Sequence, residues 1–311
     1  GRSPSTREPM SFQIDDLTVR YGTRTALDGV SLGFERGALG LLGPNGAGKT
    51  SLIRTLLGFV GPERGTVTVL DERLVRDLTA LWRRLGYAPE EDAILPALSG
   101  VASTALCAEL CGLPRHDALQ RAHDILSYVG LGEVRYRRAE TYSQGMRQRL
   151  KLAQAIVHDP ELVILDEPTN GLDPRGRQEM LALVADVVQK GIHLVLSSHL
   201  LPDVEAVCDQ VAVLDGGRLV RHGSLAELLG TSPRAFEVRV KGPRDEFERA
   251  LAARGAQCQP RPHGLLYVEL PGAGSQLVFE AAVAAGCQVR QILPAKQRLE
   301  AVFAASVGDG R

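Results

Sequence analysis

The stretch Gly43-Pro44-Asn45-Gly46-Ala47-Gly48-Lys49-Thr50 follows an apolar run, Leu39 to Leu42, and precedes Ser51-Leu52-Ile53-Arg54-Thr55-Leu56-Leu57, which stops at Gly58. It matches the pattern G-x-x-x-x-G-K-[ST] in full. A buried strand that feeds a Gly-rich loop and then a helix is the setting a phosphate-binding loop requires. Glycines let backbone N–H groups face phosphate oxygens, Lys49 brings a point charge to the β/γ oxygens, and Thr50 offers a hydroxyl to Mg²⁺. The helix start adds its positive end. Every residue from Gly43 to Thr50, with Ser51 beside it, is therefore an expected nucleotide contact.

Upstream of the loop the pattern is that of strands: Phe12 and Ile14, Leu17 and Val19, then Val30, Leu32 and Phe34. Downstream, from about Ser99 to Val134, Ala and Leu recur at helical spacing with glycines as stops. Strand-like bursts return at Leu162–Leu165, Leu194–Leu196 and Val211–Leu214, with a helical stretch around Arg177 to Lys190. This alternation predicts a parallel α/β sheet with the helical stretch inserted as its own lobe, about residues 90–150. Gly230-Thr231-Ser232-Pro233 reads as a cluster of turn residues and marks the expected end of this domain, 11–230. Beyond it, over 234–311, the order strand, helix, strand, strand, helix, strand predicts a small ferredoxin-like α+β domain, followed by a final helix.

The chain has 311 residues, 44% hydrophobic and 23% charged, enough to bury a core and too apolar for general disorder. Lys plus Arg (36) balance Asp plus Glu (37), so no bulk basic field gathers nucleic acid. No apolar run is long enough to cross a bilayer, so a role at a membrane needs a partner that spans it. Cys107, Cys111, Cys208, Cys258 and Cys287 form a scattered set. Cys107 and Cys111, with His116 and His123, leave a zinc site open, but no second close Cys pair completes it, and the plain reading is structural cysteines in a reducing compartment. Residues 1–10 are set aside as an N-terminal arm or artificial remnant; Arg2, Pro4, Arg7 and Pro9 precede no apolar core of a secretory signal.

Leu162-Val163-Ile164-Leu165-Asp166-Glu167-Pro168 delivers two carboxylates at the C-terminal end of an apolar strand, where ligands bind on such sheets. Asp166 can hold Mg²⁺ and Glu167 can polarise an attacking water. Tyr142-Ser143-Gln144-Gly145-Met146 then opens the helical Arg147-Gln148-Arg149-Leu150. Here the chain resembles the nucleotide-binding subunits of ATP-binding cassette (ABC) transporters, whose signature is usually LSGGQ. Tyr142, Gln144 and Met146 depart from it; Ser143 and Gly145 are kept.

The resemblance covers about Ser11 to Gly230. It implies an ABC-type P-loop ATPase fold with an inserted helical subdomain. It also implies that Ser143 and Gly145 grip the γ-phosphate of the ATP held by the opposite subunit. By the same resemblance Tyr21 stacks on adenine, Gly171-Leu172-Asp173 crosses the dimer, and His199 after Ser198 contacts the γ-phosphate. Glu90 stands where the family has a Mg²⁺- and coupling-loop Gln. The implied metal set is then Thr50, Asp166 and Glu90, and the implied catalytic set Glu167, His199 and Lys49. Leu293-Pro294 followed by Leu299-Glu300-Ala301-Val302-Phe303 resembles the end of ABC-2-type exporter ATPases of the daunorubicin-resistance, gliding-motility and NosF-like branch. The implied protein hydrolyses ATP with Mg²⁺ as a homodimer. It sits peripherally on the cytoplasmic face of the inner membrane, drives separate membrane-spanning permease subunits, and has no nucleic-acid partner. The alternative is a soluble ABC ATPase acting on ribosomes or DNA; one phosphate loop and no sustained heptads speak against it.

Overall fold

The computed structural model describes residues 10–74, 77–91, 93–228, 231–261, 264–272 and 274–296, without the side chains of 231–233 and 296. It divides into two compact units, 1–225 and 226–311.

In the first unit, β1 (Phe12–Tyr21) and β2 (Arg24–Phe34) form an antiparallel hairpin. The two apolar pairs of β1 are out of step: Phe12 and Ile14 have even spacing, but Leu17 follows Ile14 by three. A bulge corrects this. Asp16 adopts a left-handed backbone (φ +51), the register slips between Asp15 and Thr18, and all four side chains end up buried. Gly65 on the neighbouring strand is required here, because a Cβ would sit 2.4 Å from the carbonyl oxygens of both Asp15 and Asp16.

β3 (Ala38–Leu42) is buried along its whole length and leads through the Gly-rich loop into α1 (Lys49–Leu56). The helix begins at Lys49, two residues before the expected Ser51, so Lys49, Thr50 and Ser51 all lie in its first turn. Gly58, at φ +74, closes its end; a Cβ there would meet Leu78 Cδ1 at 2.1 Å. β4 (Arg64–Val69) and β5 (Glu72–Arg73) complete a four-stranded antiparallel sheet of order β2-β1-β4-β5.

After the short α2 (Thr79–Trp82) and β6 (Leu85–Ala88) the chain becomes helical: α3 (Gly100–Leu110), α4 (Arg115–Tyr128) and α5 (Gln144–Ile156). It then alternates through β7 (Leu162–Asp166), α6 (Pro174–Gln189), β8 (His193–Ser197), α7 (Leu201–Val207), β9 (Gln210–Asp215), β10 (Arg218–Ser224) and α8 (Leu225–Leu228). The second sheet has the order β10-β9-β3-β8-β7-β6, parallel except for β10. β3 and β7 are unbroken apolar runs because helices cover both faces of a parallel sheet. Leu52, Ile53 and Leu56 of α1 join one core with Phe12 and Ile14 of the antiparallel sheet and Leu39 and Leu41 of the parallel one. Each such side chain contributes about 1.5–3 kcal/mol by leaving water. The phosphate loop is thus anchored at both ends in the core.

The second unit contains β11 (Thr231–Lys241), α9 (Arg244–Ala252), β12 (Gln257–Pro260), β13 (Leu266–Glu269), α10 (Gln276–Ala284) and β14 (Gln288–Lys296). Its antiparallel sheet has the order β12-β13-β11-β14, the ferredoxin-like arrangement expected from the order of elements. Phe236, Val238, Phe247, Leu251, Val268 and Val278 form its own core. The turn expected at 230–233 is not where the break falls. Thr231–Pro233 already belong to β11, and Pro233 sits where the β11–β14 register slips, between Thr231 and Phe236. A proline there interrupts a ladder that is already irregular, which is why turn-forming residues fit inside a strand. The expected final helix, the Leu299–Phe303 stretch of the resemblance and most of the N-terminal arm lie outside the described residues. Among those described, no helix is long and apolar enough to cross a membrane, and no group of three or more His, Cys, Asp and Glu side chains is placed to hold a metal ion, around Cys107 and Cys111 or elsewhere.

Candidate functional site

Where β3, β6, β7 and β8 end, a cavity of about 830 Å³ opens between the phosphate loop and the two carboxylates. It gathers residues far apart in sequence: Tyr21, Asn45, Gly46, Gly48, Lys49, Thr50, Ser51, Glu90, Asp166, Glu167 and His199. Gly46 and Gly48 have φ of +83 and +107, and a Cβ on Gly48 would lie 2.8 Å from Leu27 Cδ2 and 2.9 Å from the Ala26 carbonyl. Glycine there lets the loop lie against the β2 strand.

Lys49 is buried and its Nζ donates to the Gly43 carbonyl at 2.6 Å and to that of Pro44 at 3.4 Å. Burial pushes its pKa down, and the charges of Glu167, Asp166 and Glu90 oppose that shift. Gly43, Pro44 and Ala47 do not line the cavity: the first two hold the lysine through their carbonyls and Ala47 is packed in the core.

Asp166 and Glu167 are 4% and 5% exposed. Burial raises both carboxyl pKa values above the ordinary range. Glu90 adds to the rise at Asp166 while Lys49 counters it; at Glu167 the hydrogen bond from His199 counters it. His199 Nδ1 lies 2.8 Å from Glu167 Oε2. Glu167 has a left-handed backbone (φ +50), pinned by its N–H donating to the Ser197 carbonyl and its own carbonyl accepting from Asn170.

Glu90 Oε1 accepts from Asn170 Nδ2 at 3.3 Å, which joins the loop after β6 to the loop after β7. Behind it, Thr169 and Arg177 both donate to the buried carboxylate of Asp203.

Ser143, Gly145 and Asp173 lie outside the cavity wall. Ser143 and Asp173 are N-caps away from the core: the Ser143 hydroxyl accepts from Met146 N–H at 3.4 Å at the start of α5, and Asp173 accepts from Gly176 N–H at 2.9 Å at the start of α6. Gln144 and Gln148 donate to the Asn170 carbonyl, so the two segments meet.

The cavity also includes residues without a place in the motifs above: Arg24, Thr25, Ala26, Arg54, Asn170, Gly216 and Gly217. The Asp215-Gly216-Gly217 turn carries a hairpin signal, with both glycines at positive φ. Gly217 donates to the Ala47 carbonyl, which places the β9–β10 turn under the phosphate loop. Asn170 opens the stretch Asn170-Gly171-Leu172-Asp173-Pro174, which suits the exporter branch of the resemblance, but the sequence alone assigns it no place in the cavity.

A family model described as ABC transporter matches residues 27–170. The linearmycin resistance ATP-binding protein of Bacillus subtilis is 34% identical over 218 residues, 70% of each chain. The daunorubicin/doxorubicin resistance ATP-binding protein of Streptomyces peucetius is 33% identical over 253 residues, 80% of this chain and 77% of that one. Among solved structures, an ATP-binding subunit of an ABC transporter superposes with a TM-score of 0.64 at 28% identity, covering 70% of this chain and 91% of the other. The chain belongs to the ATP-binding subunits of ABC transporters; like that family it binds ATP, uses Mg²⁺ and hydrolyses the nucleotide. Such subunits pair with membrane permeases and form dimers.

Proposed function

We propose that this chain is the motor of an ABC-2-type exporter, a homodimer that drives separate membrane-spanning subunits from the cytoplasmic face of the cell membrane. The observation that carries the reading is the Glu167–His199 contact, 2.8 Å, in the wall of a cavity that also holds Lys49 and Asp166. The resistance functions in the names of the relatives support the direction, outward.

The geometry supports the residue roles that the family resemblance implies. Tyr21, 41% exposed at the cavity wall, offers a ring face to adenine. Lys49 rests on two loop carbonyls and exchanges them for phosphate oxygens, with the N–H groups of the loop and the start of α1 around it. Thr50, Asp166 and Glu90 would hold Mg²⁺. All are hard oxygen donors, and two carboxylates suit a cation whose remaining ligands are phosphates and water. That cation supplies charge neutralisation at the β- and γ-phosphates. Glu167, its basicity raised by burial and its orientation set by His199, takes the proton of the attacking water. Ser143, Gly145 and Asp173 serve the cavity of a second copy, since their own lies elsewhere.

Phe59 and Trp82 are exposed and form an aromatic cluster with the half-buried Tyr87 beside Phe59, at ring separations of 6.4 Å. We assign this patch to the permease. The cassette comprises the first unit, and the ferredoxin-like unit is an accessory domain.

Glu167→Gln tests the reading. Turnover should fall by about 10²–10⁴-fold, the range of general-base effects, while ATP binding persists and an ATP-bound dimer accumulates on sedimentation. Hydrolysis near the wild-type rate would remove Glu167 from the role of base.

A further inference from the structure

Lys151 lies two turns into α5, in a stretch, Leu150 to Ile156, whose other residues are apolar apart from Gln154, and is 3% exposed. A lysine is rarely buried unless its charge is matched, because an ammonium out of water costs several kcal/mol. Its Nζ donates to three successive carbonyls, Pro89 at 2.7 Å, Glu90 at 3.0 Å and Glu91 at 3.4 Å. Three N–H donors thus face three backbone acceptors. Charge-assisted bonds of this kind are about twice as strong as neutral ones. The residues held are the loop that carries the Glu90 carboxylate into the cavity, and the Lys151 charge also favours the ionised form of Asp166.

We infer that Lys151 is a positioning residue: it fastens the Glu90 loop to the helix that Ser143 caps, so that loop and helix move together. The inference rests on the proposed role of Glu90 but concerns a different contact. Glu90 is reached from two sides. Asn170 holds its carboxylate and Lys151 holds its backbone, so the carboxylate can change partners while the loop stays in place. A negative side chain at position 90 also brings the cavity a third acidic group beside Asp166 and Glu167.

The test uses the complete chain. In Lys151→Met, hydrogen exchange measured without nucleotide should quicken by about tenfold or more in the segment 88–95 alone, the loss expected from removing charged hydrogen bonds. Exchange in β3, β7 and α1 should not change. ATP turnover should show a lower kcat with KM for ATP held within about threefold, the split expected when geometry rather than ground-state binding is lost. Should Lys151→Met fail to fold, Lys151→Gln, which keeps N–H donors but no charge, should give the same local quickening. Unchanged exchange over 88–95, or quickening spread evenly over the whole first unit, would overturn the inference. An inactive wild-type protein would sink the proposed function instead, and the exchange comparison would still decide the role of Lys151.

Discussion

The cavity and the signature segment are both made of helix starts and loops, yet they are built differently. Around Lys49, Asp166 and Glu167 the charged groups are buried and held by another part of the same chain: carbonyls of the loop, the His199 ring, the Ser197 carbonyl. Around Ser143 and Asp173 the side chains hold only their own helix ends. The first is a finished binding site whose groups have been moved off their ordinary pKa values by burial. The second is a surface with an anion-friendly helix terminus. On the proposed reading, Lys49, Asp166 and Glu167 are set apart from Ser143 and Asp173 by their burial.

The sharpest way to break that contrast is to damage each half and mix the products. Lys49→Ala should lose nucleotide affinity and turnover together, because the charge serves bound ATP and transition state alike. Ser143→Glu should leave ATP binding to the single chain intact, measured by fluorescence titration, and lose turnover through repulsion of the phosphate. Mixed in equal amounts, the two inactive variants should recover activity, since one of the two sites in a mixed dimer has both an intact lysine and an intact serine. No recovery would mean that Ser143 does not serve the other copy.

A smaller effect is expected in the unliganded protein as pH is varied. The folded-state pKa of Glu167 lies above its unfolded value, so the protonated form is the one favoured by folding. That contribution is complete below the unfolded pKa and disappears as pH rises through the folded one; above both, the buried charge weighs against folding, with the His199 bond offsetting part of it. Glu167→Gln removes the charge and keeps a hydrogen-bonding partner for His199. Its melting temperature should exceed that of the wild type by a few degrees (about 2–4 °C per kcal/mol for a domain of this size) at pH 8. The advantage should vanish below about pH 4, where the carboxyl is protonated in both states. A Gln variant no more stable at pH 8 would show that the cavity does not hold the carboxylate at a cost.

The smallest effect should come from removing residues 226–311. The first unit keeps both its sheets and the whole cavity, so ATP affinity should stay within about threefold of the intact chain. Insolubility or loss of nucleotide binding would place the ferredoxin-like unit within the cassette core.

Much of this is legible in the sequence because the signals are local. The phosphate loop declares itself by glycines that only a left-handed turn needs, and Asp166-Glu167 by the apolar strand before it. The ferredoxin-like order is readable from alternation alone. Lys151 shows the limit. A single charge at a core position of α5 signals an anomaly, but its partners are three backbone carbonyls about sixty residues away, and backbone acceptors have no sequence signature. Asn170 and the Gly216-Gly217 turn are of the same kind: each reaches the cavity through the strand order, which no local pattern encodes. The turn expected at 230–233 fails for the opposite reason, since propensity marks Pro233 as a turn residue while the strand accommodates it at an irregular point of its ladder.

The left-handed backbone at Glu167 has a bearing on which descendants of this chain remain possible. A side chain branched at Cβ is costly there whatever its polarity, whereas Gly, Asn and Asp enter that conformation with the least penalty. Random change at position 167 is therefore filtered twice, first by the fold and then by the reaction. Variants that pass the first filter and fail the second would be well-folded copies with the cavity shape intact and the long carboxylate missing. Within any population of such genes, decayed but soluble cassettes should carry those three residues at this position more often than Val, Ile or Thr, a bias that originates in one backbone angle.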